Sequence, residues 1–313
     1  MRRTPRRHRR AIAARIALAT VLVLIGAGAI VAASILFPSP QTSSPAPPSS
    51  PRPSKPVSEW DAATGVPSGT TLTKIDGDIR VTNPGAVLDS LDVHGRIIVR
   101  APNVTIKRSI IRGGTVPVEG GLIDANQGEP GLKVVDSEIF ATNPSPQVNG
   151  IVGFNFTLTR VEIRDVIDQV HIIGDNVTVK NSWLHDNVHY EEDPEQDGGP
   201  SHDDNVQVQS GRGITITGNN LSGAHAAVVQ ITQDRGPVSQ LTFSENIVND
   251  GWCSINVSEG DKGPVADVVV KDNTFGRTMA FEDCAVITPP SSPLQLSGNV
   301  FTDGVEISVR RGA

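Results

Sequence analysis

From residue 103 onward one short pattern returns eight times: NVTIKRSII (103–111), LKVVDSEI (132–139), FTLTRVEI (156–163), VTVKNSWL (177–184), ITITGNNL (214–221), LTFSENIV (241–248), VVVKDNTF (268–275) and LQLSGNVF (294–301). Each copy reads apolar, any, apolar, two polar residues, a turn residue, any, apolar. The first apolar positions are Val104, Leu132, Phe156, Val177, Ile214, Leu241, Val268 and Leu294, spaced by 28, 24, 21, 37, 27, 27 and 26 residues. Period-2 alternation rich in β-branched residues specifies short strands, and no helical period competes with it after residue 60. One such unit cannot bury its own apolar face. Stacking successive units buries it, at about 4.8 Å per rung.

A second strand signal lies between the copies: IIV (97–99), GIV (150–152), QVHI (169–172), NVQV (205–208), VVQI (228–231), SINV (254–257), AVI (285–287) and VEIS (305–308). These segments can be set in register through their apolar residues. The turn positions of the first pattern are Ser109, Ser137, Val161, Ser182, Asn219, Asn246, Asn273 and Asn299.

The chain ahead of the repeats is different. Nine cations and one acid precede residue 60, a net +8; the whole chain is −7, so residues 60–313 carry −15. Residues 1–15 read as a basic cytoplasmic tip. Residues 16–37 hold 22 uncharged residues, the length of a transmembrane anchor or signal anchor. Residues 38–59 are a Pro/Ser-rich linker without the apolar surface to fold. The Arg cluster orients the anchor with residues 60–313 outside. The expected location is therefore the cell membrane, single-pass, with an extracellular C-terminal domain, or a secreted domain if the segment is cleaved. So acidic a body excludes nucleic acid as a partner, and a monomer is expected.

The repeat resembles the right-handed parallel β-helix of the pectate-lyase-like superfamily, over about residues 65–310. The resemblance implies an all-β fold: a right-handed single-stranded parallel β-helix of about nine coils in 60–313. Asn219, Asn246, Asn273 and Asn299 resemble that family's asparagine ladder, in which the amides bond along the stack and Asn accommodates a left-handed turn. A β-sandwich of short strands is the rival architecture.

Five of the seven His lie within 171–225: His171, His185, His189, His202 and His225. His185, His189 and His202 lie within the one long insertion, HDNVHYEEDPEQDGGPSHDD (185–204), and His171 and His225 flank it; the acids of the insertion also suit a solvated loop. Alternation over SHDDNVQVQ turns Val206 and Val208 inward and Asp203, Asn205, Gln207 and Gln209 outward. Aligning Val206 with Val170, Val229 and Ile255 builds an outer file His171–Gln207–Gln230–Asn256. Gln169 aligns with Asn205, His202 with His225, and Asp203 with Trp252. Planar amides, imidazoles and an indole suit sugar hydroxyls and ring faces. The expected substrate-binding set is Gln169, Asn205, Gln207, Gln230, Asn256 and Trp252, with a polysaccharide as the partner.

The resemblance places the substrate cleft on this sheet and the turn leading into it, and SHDDNVQ (201–207) resembles an element of secreted β-helix proteins. Polygalacturonases of this fold use three Asp, a Gly-His-Gly and an Arg-x-Lys. Here Asp203-Asp204 and His225 in GAHA are present, Arg-x-Lys is absent, and so is the pectate lyases' Arg-x-Pro-x-x-Arg. The expected catalytic set is His202, Asp203, His171 and His225. Lyase-like β-elimination is favoured over hydrolysis by fold analogy, with His202 or His171 as base and a Ca²⁺ ion on Asp203 and Asp204 as the electrophile. In hydrolysis Asp203 is the acid, and a loop carboxylate or Asp165 the base. A non-catalytic glycan-binding or structural envelope module is the alternative. Cys253 and Cys284 both align with Asp204, one rung apart. That spacing and an oxidising compartment predict a disulfide.

Overall fold

The computed structural model describes residues 57–116 and 119–312. The basic tip, the apolar segment and nearly all of the Pro/Ser-rich linker lie outside the described residues. Among those described, no helix is long and apolar enough to cross a membrane.

The chain winds through three parallel sheets in turn. Sheet A contains ten strands, from Thr73–Asp76 to Val300–Phe301. Sheet B also contains ten, from Ile79–Val81 to Val309–Arg311. Sheet C contains nine, from Val87–Asp89 to Gln295–Ser297. Each strand pairs with its counterpart one coil away, so this is a parallel β-helix. The segment VEIS, expected as a strand, is not one; the last strand of sheet B is Val309–Arg311. A seven-residue helix, Val57–Ala63, precedes the first coil and reaches into the stretch expected as linker. It carries Trp60, which is buried.

The interior is a set of apolar stacks. Val104, Leu132, Phe156, Val177, Ile214, Leu241 and Val268 form one file, all but sealed from solvent. Val170, Val206, Val229, Ile255 and Val286 form another, in register from rung to rung. Each such side chain contributes about 1.5–3 kcal/mol by leaving water. Every coil repeats that contribution, which makes the stack self-supporting.

The turn from sheet C to sheet A carries the polar ladder. The Asn219 amide nitrogen donates to Asn246 Oδ1 at 3.0 Å and to Val179 O at 3.0 Å. Asn246 repeats this with Asn273, and Asn273 with Asn299. Serines continue it at earlier coils: Ser182 N donates to Asn219 Oδ1, and Val161 N to Ser182 Oγ. One expectation is corrected here. The left-handed backbone belongs to the residue before each ladder position: Asn181 (φ 51°), Gly218 (67°), Glu245 (58°), Asp272 (54°) and Gly298 (64°). The ladder residues are asparagine because a buried amide can satisfy both the rung's own backbone and the next amide.

Candidate functional site

The outward file of sheet B is continuous: Asp124, Val152, His171, Gln207, Gln230, Asn256 and Ile287 pair in that order. Three of its amides make hydrogen bonds along or beside the file. Asn256 Nδ2 donates to Gln230 Oε1 at 2.9 Å, and Gln207 Nε2 to Thr232 Oγ1 at 3.1 Å. From His171 to Ile287 this file floors a cleft of about 1880 Å³, whose lining runs from Glu119 to Gly312. That span covers eight successive strands of sheet B, roughly 34 Å at about 4.8 Å per rung. Among the described residues, the charged and titratable side chains lining it are acids and histidines, with no Lys or Arg.

The corner from sheet A to sheet B supplies the titratable groups. There the period-2 alternation stops: Asp203, Asp204 and Asn205 are all buried. Asp203 was expected to face outward and is instead fully enclosed. Its Oδ1 lies 2.7 Å from His189 Nδ1, and its Oδ2 accepts from the His225 backbone N–H at 2.8 Å and lies 3.0 Å from His225 Nδ1. With Asp203 accepting, Nδ1 of each ring is the donor. The two rings stack, centroids 4.2 Å apart. His189 comes from the insertion and His225 from the next coil, so one carboxyl organises two imidazoles on the cleft wall.

Asp204 turns the other way. Its Oδ1 accepts the Ala227 N–H at 2.9 Å, and its backbone N–H donates to Asp168 Oδ1. Burial, with the carboxyls of Asp168 and Asp203 nearby, pushes the Asp204 pKa well above the ordinary carboxyl value, against the Ala227 bond. Asp168 Oδ2 is 2.9 Å from His171 Nδ1. Burial alone would lower the His171 pKa, but the Asp168 bond and charge outweigh it, and the net shift is upward.

Gln169 and Asn205 are corrected as surface residues. Both are completely buried, behind the cleft wall. Asn205 Nδ2 lies 2.8 Å from Gln169 Oε1, Asn187 Oδ1 and Ser222 O. Amides from two coils and a backbone carbonyl from a third thus hold the corner, so neither residue reaches a ligand. His202 is exposed on the cleft, at the register position of His225. Trp252 is exposed and meets Phe281 edge to face at 5.2 Å. Cys253 and Cys284 are joined by a disulfide, with Cα atoms 4.8 Å apart.

The expected calcium pair does not fit. Calcium takes six to eight oxygens. Asp203 has both oxygens on imidazole and amide donors, and Asp204 Oδ1 is taken by the Ala227 N–H. Among the described residues, the cluster with metal-ligand spacing is instead His189, Asp203 and His225. Its close contacts are those of hydrogen bonds already made.

Sequence reasoning passed over Asp168, His189 and Phe281 as site residues. Asp168 was reachable, since it precedes Gln169 as Asp204 precedes Asn205. His189 was not, because an insertion of irregular length has no register.

The chain matches no protein-family model and no curated protein. Among solved structures, the catalytic unit of a thermostable GH87 α-1,3-glucanase from Streptomyces thermodiastaticus aligns with a TM-score of 0.45 and 13% identity. The alignment covers 72% of this chain and 47% of that one, so this chain spans about half of it. The likeness is too slight to carry over a site or a substrate.

Proposed function

We propose that this protein hydrolyses a neutral polysaccharide laid along the coil axis, with Asp204 as general acid and Asp168 as general base. The observation that carries this reading is that Asp168 and Asp204, on adjacent rungs and joined by the bond from the Asp204 backbone N–H to Asp168 Oδ1, both line a long open cleft. Asp204 holds its proton to higher pH than an ordinary carboxyl, which is what a general acid requires. Water attacks the anomeric carbon and gives its proton to Asp168. The glycosidic C–O bond breaks as its oxygen takes the Asp204 proton. His171 orients Asp168, and the file Gln207–Gln230–Asn256 binds hydroxyls. His225, His189 and the exposed His202 line the wall beside the reacting sugar.

The lining chemistry supports hydrolysis over elimination. A uronate polymer brings one negative charge per sugar, and elimination needs a cation to neutralise the enolate. Among the described residues the cleft lining itself holds acids and histidines and no Lys or Arg; Arg235 and Arg310 reach its edge through Gln209 and Phe281. Neutral glycans avoid that repulsion.

The test is product analysis with the full chain. Neutral glucans, xylan and galactan are incubated and followed by reducing-end assay and mass analysis, and polygalacturonate is followed by absorbance of unsaturated ends. New reducing ends without unsaturation support the proposal. Unsaturated ends would establish the lyase instead, and binding with no product would establish a non-catalytic glycan-binding module.

The wider setting belongs to the same proposal. The coil is right-handed, as parallel crossovers are in about 98% of cases, and pectate-lyase-like. It stands as a monomer outside the membrane, tethered by residues 16–37. The run of uncharged residues behind an Arg cluster supports the tether, and the disulfide supports an oxidising compartment. Protease accessibility on intact cells tests the topology.

A further inference from the structure

We infer that Trp252 and Phe281 form a separate sugar-stacking shelf, remote from the carboxyl pair, and that the Cys253–Cys284 disulfide holds it in place. This rests on the reading of the cleft as a glycan site, though not on catalysis.

Exposure is the first argument. Trp252 is 59% exposed and Phe281 47%, whereas Trp60 and Trp183 are buried. Both exposed rings line the cleft. They meet at an interplanar angle of 73°; the Arg310 guanidinium lies over the Phe281 ring at 5.8 Å, so the exposed Trp252 supplies the open face. An open aromatic face beside amides matches a pyranose, which is apolar on its C–H face and polar at its rim.

Position is the second. Ala226 N donates to Asp203 O, Trp252 N to Ala226 O, and Phe281 N to Trp252 O. The shelf therefore stands two to three rungs from Asp203, roughly 10–14 Å along the axis. Only an extended chain of several sugars can reach both the shelf and the Asp168–Asp204 pair. Asn256, on the same coil as Trp252, continues the polar file to the shelf.

The disulfide is the third. Cys253 adjoins Trp252, and Cys284 donates its N–H to Phe281 O at 3.0 Å. No strand lies between Thr274–Phe275 and Val286–Thr288. Around Phe281 the turn is joined to the coil below by backbone bonds from Ala280 N to Gly251 O, Phe281 N to Trp252 O and Ser254 N to Cys284 O. The covalent bridge ties both aromatic-bearing turns at their base.

The experiment is affinity electrophoresis of the full-length protein in detergent, through gels containing xyloglucan, galactomannan, mixed-linkage β-glucan or dextran. Wild type should be retarded by at least one of them. In that gel Trp252→Ala should bind about tenfold more weakly, Phe281→Ala less so, and Trp252→Phe should retain most of the affinity. Because Trp252 is exposed, the melting temperature of Trp252→Ala should match wild type. The Cys253→Ser/Cys284→Ser double variant, checked to be folded, should also bind more weakly. Equal retardation of Trp252→Ala and wild type overturns the shelf, as does a wild type that no gel retards. A folded double Cys variant that binds normally refutes the role of the disulfide. A polysaccharide that binds and yields no product sinks hydrolysis and leaves the shelf standing.

Discussion

The carboxyl of Asp168 accepts the backbone N–H of Asp204 across 3.2 Å, although 36 residues separate them. One step of the coil erases that separation, and it puts two acids of different surroundings beside one cleft. Asp204→Asn keeps an acceptor for Ala227 and removes the proton needed by the leaving group. We expect turnover to fall by about 10²–10⁴-fold with substrate binding retained. Asp168→Asn should fall comparably. Steady-state kinetics on the polysaccharide found to be cleaved provides the check, and undiminished turnover in either variant refutes the assignment.

Asp204 and His171 both have raised pKa values in the folded protein, against ordinary values of 3.8 and 6.5. The folded state therefore binds more protons at these sites than the unfolded one. Their stabilising contribution is full below those ordinary values and is lost as pH rises through the folded ones. The melting temperature of Asp204→Asn relative to wild type should thus increase as pH climbs above about 4. Paired melts across pH 4–8 measure this, and a pH-independent difference would contradict the raised Asp204 pKa.

Asp203 holds the corner as well as the imidazoles. Asp203→Ala leaves the His225 N–H and both rings without their acceptor and should cost about 2–4 kcal/mol. His202→Ala, at an exposed position, should stay within about 0.5 kcal/mol. Urea denaturation midpoints separate the two, and equal stabilities would mean that Asp203 is not the anchor described above.

In the ladder, Asn246→Ala strips a partner from Asn219 N and Nδ2 and from Ile216 O. The expected loss is about 2–4 kcal/mol. Asn246→Ser should recover part of it, because Ser182 fills the same position on an earlier coil. Chemical denaturation of the two variants tests the order.

Breaking the Cys253–Cys284 bridge, which closes a sequence separation of 31 residues, should cost about 2–4 kcal/mol. Comparing the denaturation midpoints of reduced and oxidised protein gives the value.

Whatever repeats is legible in the order of the residues. Stacked strands, the inward apolar files, the ladder positions, the outer file His171–Gln207–Gln230–Asn256 and the shared rung position of the two Cys all follow from a period and a register. The physical reason is that apolar burial is the same problem in every coil, so its solution recurs and can be counted. Only the tertiary structure decided the corner between sheets A and B. There three consecutive residues turn to three different sets of partners. Asp203 is taken by His189 from the insertion and His225 from the next coil, Asp204 by Ala227, and Asn205 by Gln169, Asn187 and Ser222. Alternation governs side chains while a strand has neighbours on both sides. Where the strand begins, the hydrogen bonds of whatever segment lies adjacent take over, and no local pattern records them.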